Sequence, residues 1–307
     1  MERKVIVIAG PTCSGKTALS LMLASQLNSE IISADSRQVF KYLDIGSAKP
    51  SAEELSKIPH HFIDKLYPDK EFNASIFENE SLAIINKLHQ QNKIPVVAGG
   101  SGLYIKALVD GIFDAASSDE NYREELKKDM ELYGKEYLYN RLKELDPVSA
   151  GKMLPQNWKR VMRALEAFHV TGEPIWKAQQ QHTRNIDIDF LQYGLDWDRS
   201  VLYSNIEKRV DDMIEAGLIE EVKLIHSMGY SKNLNALNTV GYKEIISYLE
   251  NETTLDRAIE LIKRNTRRFA KRQLTWFRAD ARIKWIRIES YSDIEKTAGV
   301  IADSIKK

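Results

Sequence analysis

The chain has 307 residues, a length that suits two domains or one core carrying an insertion. Hydrophobic residues make up 43% and charged residues 29%, which excludes a disordered chain, and no run of 18 apolar residues is present to span a membrane. Lys plus Arg and Asp plus Glu number 44 each, so the net charge does not advertise a polyanionic partner, and the single cysteine, Cys13, excludes an internal disulfide and fits a cytoplasmic address.

Val5-Ile6-Val7-Ile8 follows Arg3 and Lys4 directly; it is too short for a signal-peptide core and predicts a buried strand over 4–9. Residues 16–27 predict a helix with Leu19, Leu23, Ala24 and Leu27 on one face. Glu30–Ala34 predicts a second strand, 74–92 a helix, and Ile94–Ala98 a third strand closed by Gly99-Gly100. Strands alternating with helices imply a parallel α/β sheet covered on both faces. After Gly111 the texture changes. Residues 119–145 are rich in Glu, Lys, Leu and Tyr at helical spacing, and 157–170 form an amphipathic stretch ended by Thr171-Gly172-Glu173-Pro174. Gln179-Gln180-Gln181-His182 reads as a polar helix end, and Phe190–Leu195 as a strand. The expected layout is therefore a core of 1–111 and 189–307 with a helical insertion over 112–188. Within the core, 202–228, 241–250 and 254–280 predict helices and Ile283–Ile288 a late strand.

Gly10-Pro11-Thr12-Cys13-Ser14-Gly15-Lys16-Thr17 matches the phosphate-binding loop G-x-x-x-x-G-K-[ST], with the required strand before it and helix after it. Its glycines let backbone N–H groups turn toward phosphate oxygens, and the helix N-terminus adds partial positive charge. Lys16 is expected to neutralise the terminal phosphate and Thr17 to offer its hydroxyl to Mg²⁺. Cys13 reads as a small filler rather than a nucleophile, because no base lies near it in sequence.

An ATPase or GTPase carries a carboxylate at the end of a later strand to hold Mg²⁺. Here the third strand ends Val97-Ala98-Gly99-Gly100-Ser101, with no Asp or Glu. The carboxylate follows the second strand instead, at Asp35, where ligands bind in open α/β sheets. A bland alternative makes Asp35 a helix N-cap. Farther on, eleven Lys and Arg residues fall between Arg257 and Arg287, with only Glu260 and Asp280 opposing them. Such a stripe is either a polyanion footprint or a solvated helix face.

With these features in hand, the sequence resembles the tRNA dimethylallyltransferase (tRNA isopentenyltransferase) family, bacterial type. The resemblance rests on GPTCSGKT (10–17), ADSRQVFKYLDIGSAKP (34–50), HHFID (60–64), PVVAGGSGLYIKAL (95–108), WKRVMRALE (158–166), RVDDMIEAGLIEEV (209–222), TVGYKE (239–244) and RRFAKRQLTWFR (267–278). It implies a P-loop NTPase-like core whose loop holds dimethylallyl diphosphate with Mg²⁺, in place of ATP. The implied reaction moves the dimethylallyl group to the N6 amine of the adenine just 3′ of the anticodon. The insertion is implied to grip the tRNA anticodon stem-loop, with no obligate protein partner.

The resemblance also implies roles. Asp35 accepts the proton of the adenine amine, and Lys16 and Arg209 act with it on the diphosphate. Ser36, Arg37 and Gln38 form an RNA-contacting turn, and Ser101 contributes a hydroxyl where the family usually has Thr. Arg123 and the segment Lys159, Arg160, Val161, Met162, Arg163 contact RNA from the insertion. Asn238, Thr239, Val240, Gly241, Tyr242 and Lys243 form a further RNA-contacting loop. Departures from the family pattern are Cys13 for Ala or Gly, Phe40 for Tyr and Ser47 for Thr, and none removes a needed group. A small-molecule kinase using the same loop with ATP, and a non-catalytic RNA-binding module, are the rival readings. The pair His60-His61 lacks companions at metal-ligand spacing.

Overall fold

The architecture is that of a computed structural model, which describes residues 3–112, 119–174, 176–177 and 186–306. The segment Gln179–His182 lies outside the described residues. The chain forms two compact units, one of Met1–Val109 with Ile186–Lys307, the other Asp110–Asn185.

The first unit is built on a six-stranded sheet in the order β3-β2-β4-β1-β5-β6, with every pairing parallel. Its strands are β1 (Lys4–Ala9), β2 (Ile31–Ser33), β3 (His60–His61), β4 (Val96–Gly99), β5 (Asp189–Trp197) and β6 (Lys284–Ile288). Val5 through Ala9 are wholly buried, as a central parallel strand covered on both faces requires. β1 pairs with β4 on one side and β5 on the other. The connection after β1 therefore opens at the carboxyl edge, at the crevice where such sheets bind ligands. The P-loop NTPase-like α/β core expected from the sequence is present, with helices α1 (Lys16–Gln26), α2 (Ala52–Lys57), α3 (Ala74–Gln90) and α4 (Gly102–Asp110) in its first half.

The second unit carries α5 (Glu120–Tyr133), α6 (Lys135–Leu145), α7 (Pro147–Ala150) and α8 (Trp158–Thr171). The stretch expected as helical over 119–145 is two helices, because Gly134 adopts φ +85° between them. Their apolar faces close on a small core of Leu126, Leu138, Leu142, Val161 and Leu165. Asp146 accepts a hydrogen bond from the Ser149 amide (2.9 Å) and so caps the short α7.

The chain then returns to the first unit through β5 and continues as α9 (Arg199–Glu215), α10 (Leu218–Ser227), α11 (Tyr242–Leu249), α12 (Leu255–Arg278) and α13 (Tyr291–Lys306). The single helix expected over 202–228 is broken at Gly217, which sits at φ +98°. α13 packs along α1 through Ile294, Ala298, Ile301, Ala302 and Ile305. That contact makes a test of the packing. Ile301→Ala should cost about 2–5 kcal/mol, the range for truncating a buried aliphatic residue. Val300→Ala, on the exposed side of the same helix, should stay within about 0.5 kcal/mol. Chemical denaturation of the two variants checks the difference.

Candidate active site

The loop after β1 curls through left-handed positions at Cys13 (φ +62°) and Gly15 (φ +90°) before α1 begins at Lys16. No side chain caps α1 among the described residues, and Lys16, Thr17 and Ala18 of its first turn line a cavity. The loop is clamped from distant parts of the chain. The Thr12 amide donates to Gln273 Oε1 (2.8 Å), and Gln273 Nε2 donates to the Gly100 carbonyl (2.9 Å). Trp197 Nε1 donates to the Ser14 carbonyl (2.9 Å). Gly99 and Gly100 are glycines for a steric reason: a Cβ at Gly99 would collide with the Ala34 carbonyl, and one at Gly100 with the Gln273 amide.

Two cations meet at this loop. Lys16 Nζ donates to the Pro11 carbonyl (2.5 Å). Arg209, on α9, reaches Thr12 Oγ1 (3.4 Å) and Cys13 Sγ (3.6 Å) through Nη1. Neither forms an ion pair with a carboxylate among the described residues. Burial, and then the neighbouring Arg209 charge, push Lys16 down to about 8, against weaker upward pulls from Cys13 and then Asp35. An anion bound at the loop relieves that cost for both cations.

Asp35 stands at the end of β2. Its Oδ1 accepts from the amides of Arg37 (2.8 Å) and Gln38 (3.4 Å). Those residues form a turn rather than a helix, so the N-cap reading is replaced by a cap on a turn. The capping uses one oxygen, and Oδ2 makes no hydrogen bond among the described residues. Ser101 Oγ accepts from the Ser36 amide (3.0 Å), tying the turn to the end of β4. Gln38 accepts from Ser33 Oγ (2.9 Å) and donates to the Ala48 carbonyl (2.9 Å), so its amide braces the neighbouring wall.

These groups line one cavity of about 820 Å³. It collects Thr12 to Thr17 of the loop, the turn Asp35–Gln38, Ser101, Arg209, Asn238 to Gly241 and Lys243. Another wall is held by Glu221 on α10, whose carboxylate accepts from the amides of Asp44 (2.9 Å), Ile45 (2.7 Å) and Gly46 (3.1 Å) and from Tyr242 Oη (2.6 Å).

The sequence model of the IPP transferase family matches residues 38–280. The chain is 46% identical to the tRNA dimethylallyltransferase of Alkaliphilus oremlandii, over all of this chain and 98% of that one.

This chain belongs to the IPP transferase family.

A tRNA isopentenylpyrophosphate transferase structure from Bacillus halodurans superposes with TM-score 0.72 at 38% identity, covering 99% of this chain and 97% of the other. A eukaryotic dimethylallyltransferase acting on tRNA superposes with TM-score 0.84 at 30% identity, covering 99% of this chain and 78% of that one.

Several residues expected at an IPP transferase site are placed otherwise. Tyr242 is wholly buried, with burial and the Glu221 carboxylate pushing its phenol upward, and so it supports the loop from inside. Val161 and Met162 belong to the core of the second unit, which leaves Lys159, Arg160 and Arg163 as the side chains of that segment reaching solvent. Arg123 forms a two-pronged pair with Glu166 (2.6 and 3.1 Å), and Arg163 approaches the same buried carboxylate (3.6 Å). His60 bonds the Ile58 carbonyl (2.7 Å) and His61 bonds Glu30 (2.8 Å), which accounts for both rings as supports of the sheet edge.

The basic stripe is largely internal pairing. Arg257 meets Glu260, Lys263 meets Asp211, Arg267 meets Glu207, Arg278 and Arg287 meet Asp196, and Arg282 meets Asp280. Three of those carboxylates come from α9 and β5, out of reach of any local reading. Gln273 and Glu221, both organisers of the site, were assigned no role from the sequence. Their signal is tertiary, since each acts on backbone groups more than 170 residues away.

Lys16 supplies a pH test. Its folded-state value lies below the ordinary lysine value of about 10.4, so between about pH 8 and that value the unfolded chain binds more protons than the folded one. The lysine's contribution to stability therefore rises with pH through that window. Inorganic diphosphate pairs with the ammonium form and favours it. Its upward shift of the melting temperature should be larger near pH 7 than near pH 9.5 at equal concentration. Equal shifts at both would remove Lys16 from the anion site.

Proposed function

We propose that the chain transfers a dimethylallyl group from dimethylallyl diphosphate to tRNA, on the N6 amine of the adenine immediately 3′ of the anticodon. The observation that carries this reading is the shared cavity. The cationic loop and a carboxylate whose Oδ2 makes no hydrogen bond among the described residues line the same space. The kinase reading is not favoured, because β4 ends in Gly99 with no carboxylate following it.

In the proposed reaction the donor's allylic C–O bond breaks while a bond forms from N6 to that carbon. The departing diphosphate gathers negative charge, which Lys16, Arg209, the loop amides and the open end of α1 stabilise from fixed positions. Asp35 Oδ2 takes the amine proton as the new bond forms. An adenine must leave its stack to reach such a site, and single-stranded loops release bases most readily. Ser36, Arg37, Ser101 and the loop Asn238–Lys243 are the proposed tRNA contacts around that base, with Lys159, Arg160 and Arg163 for the second unit.

Mg²⁺ fits the donor set as a partner of the substrate. Among the described residues no three His, Cys, Asp or Glu side chains are grouped to hold a metal alone. Thr17 and Asp35 both line the cavity, and Mg²⁺ commonly takes few protein oxygens, with phosphate and water filling the rest. Thr17 would hold it, and the ion would neutralise the diphosphate.

Incubation of the protein with donor, Mg²⁺ and unmodified tRNA, followed by nucleoside mass spectrometry, should yield dimethylallyl-adenosine. Transfer of phosphate from ATP to a small molecule, with tRNA unchanged, would overturn the reading. Asp35→Asn separates chemistry from capping. Asn still caps the turn, so melting temperature should hold. The single-turnover rate should drop roughly 10²- to 10⁴-fold, as for loss of a general base.

A further inference from the structure

The first residue of α13 carries a side chain that packing alone does not explain. Tyr291 is 59% exposed, although Ile294, Ala298 and Ile301 of the same helix are buried. The helix lies beyond residue 280, where the match to the family model ends. Tyr291 is nonetheless held in place from several sides. Asp293 Oδ2 accepts from the amides of Glu289 (3.1 Å) and Ser290 (3.0 Å), which sets the turn that enters the helix. The Tyr291 ring meets the Trp197 ring with 5.5 Å between centroids, and Trp197 is the residue that holds the Ser14 carbonyl. A Cβ placed on Gly15 would come to 3.9 Å from the Tyr291 ring. The phenol therefore stands over the loop after β1, and it lines the same cavity as Cys13, Lys16 and Arg209. Its hydroxyl makes no hydrogen bond among the described residues.

Partial burial, and then Cys13, raise the phenol, while Arg209 lowers it, so the hydroxyl stays protonated at neutral pH within reach of the site's charges. A protonated phenol can donate, but lysine and arginine side chains offer it no acceptor. An oxyanion held at the loop would supply acceptors to all three groups at once. We propose that Tyr291 donates its phenolic O–H to the diphosphate of the donor and so closes the anion site from the C-terminal helix. The proposal rests on the transferase reading above and adds a neutral donor to its two cations. A phenol contributes a fixed hydrogen bond to the leaving group as charge gathers there, without a third positive charge at the loop. A nucleobase stacked on the exposed ring is the rival occupant, and it would need the ring but not the hydroxyl.

Tyr291→Phe separates the two, because it keeps the ring against Trp197 and removes only the hydroxyl. Binding of inorganic diphosphate in the presence of Mg²⁺, followed by isothermal titration calorimetry, should weaken about 10-fold, as for one hydrogen bond to a charged group. The melting temperature of the free protein and the affinity for an anticodon stem-loop RNA should stay at their wild-type values. Single-turnover transfer at subsaturating dimethylallyl diphosphate should slow by at least the same factor, since the contact strengthens as the diphosphate leaves. Tyr291→Leu, which removes the ring as well, should lose no less diphosphate affinity than Tyr291→Phe. Unchanged diphosphate affinity in Tyr291→Phe would overturn the proposal. So would a loss of stem-loop affinity with diphosphate binding intact, which would give the ring to RNA. A wild-type protein that binds no diphosphate at all would instead overturn the functional reading beneath it.

Discussion

Lys16 and Arg209 bring two positive charges to one loop, neither paired with a carboxylate among the described residues, and much of the surrounding architecture follows from that. A carboxylate placed there would stabilise the free protein and close the site to anions. The loop is instead held by neutral groups. The Gln273 amide bridges Thr12 and Gly100, and the Trp197 indole binds the Ser14 carbonyl. The depressed Lys16 is the electrostatic mark of this arrangement, since an amine that is desolvated beside another cation gives up its proton more easily. Two cations held without a carboxylate partner among the described residues leave room for an anion, which is how a preorganised anion site differs from a structural ion pair.

α12 shows how one helix serves three purposes through its faces. Ala258, Ile262, Ala270 and Phe277 face the core. Lys263 and Arg267 join it to α9 through Asp211 and Glu207. Gln273 reaches the loop after β1, and Phe269 and Arg272 open onto the cavity. The helix that positions the loop amide is thus the one that lines the mouth. The loop and the cavity mouth are therefore referred to one rigid element, and holding two reacting groups in line requires such a common frame.

The carboxylate Glu221 plays a related part at another wall. Three consecutive backbone amides and a phenol point at it, so the loop Asp44–Gly46 is wrapped around a fixed negative charge. Tyr242 fills the space beside Gly46, where any Cβ would collide with its ring. The contact explains why a tyrosine expected at the RNA is wholly inside. It also brings Gly46 beside the segment 238–243, distant in sequence, at the cavity wall.

Much of the fold was legible because its signals are local. The run Val5–Ile8 is apolar at every position since both sheet faces are covered, and the glycines and Lys16 that follow it have one physical use at that spacing. β1 and α1 accordingly fall where expected, within a residue. Asp35 is legible because the third strand ends without a carboxylate, while Asp35 closes the second at the edge where open α/β sheets bind ligands. The two-residue β3 is too short to leave a pattern. α13 does carry apolar residues at helical intervals, but its amphipathic character has meaning only against the α1 face that it covers. Gly134 and Gly217 divide stretches whose periodicity runs on through them, because a single positive-φ residue turns the chain without altering the pattern on either side.

The sequence by itself determined the glycine-rich loop between β1 and α1, the alternation of strands and helices, and the family, because each depends on residues near one another along the chain or on their order. Tertiary structure alone decided which charges are spent and which are free. Arg267 reads as part of a basic stripe until Glu207, sixty residues away, is brought to it. Val161 reads as part of a contact segment until the second unit's core closes over it. Side-chain identity is a local property, but pairing and burial depend on distances that only folding sets.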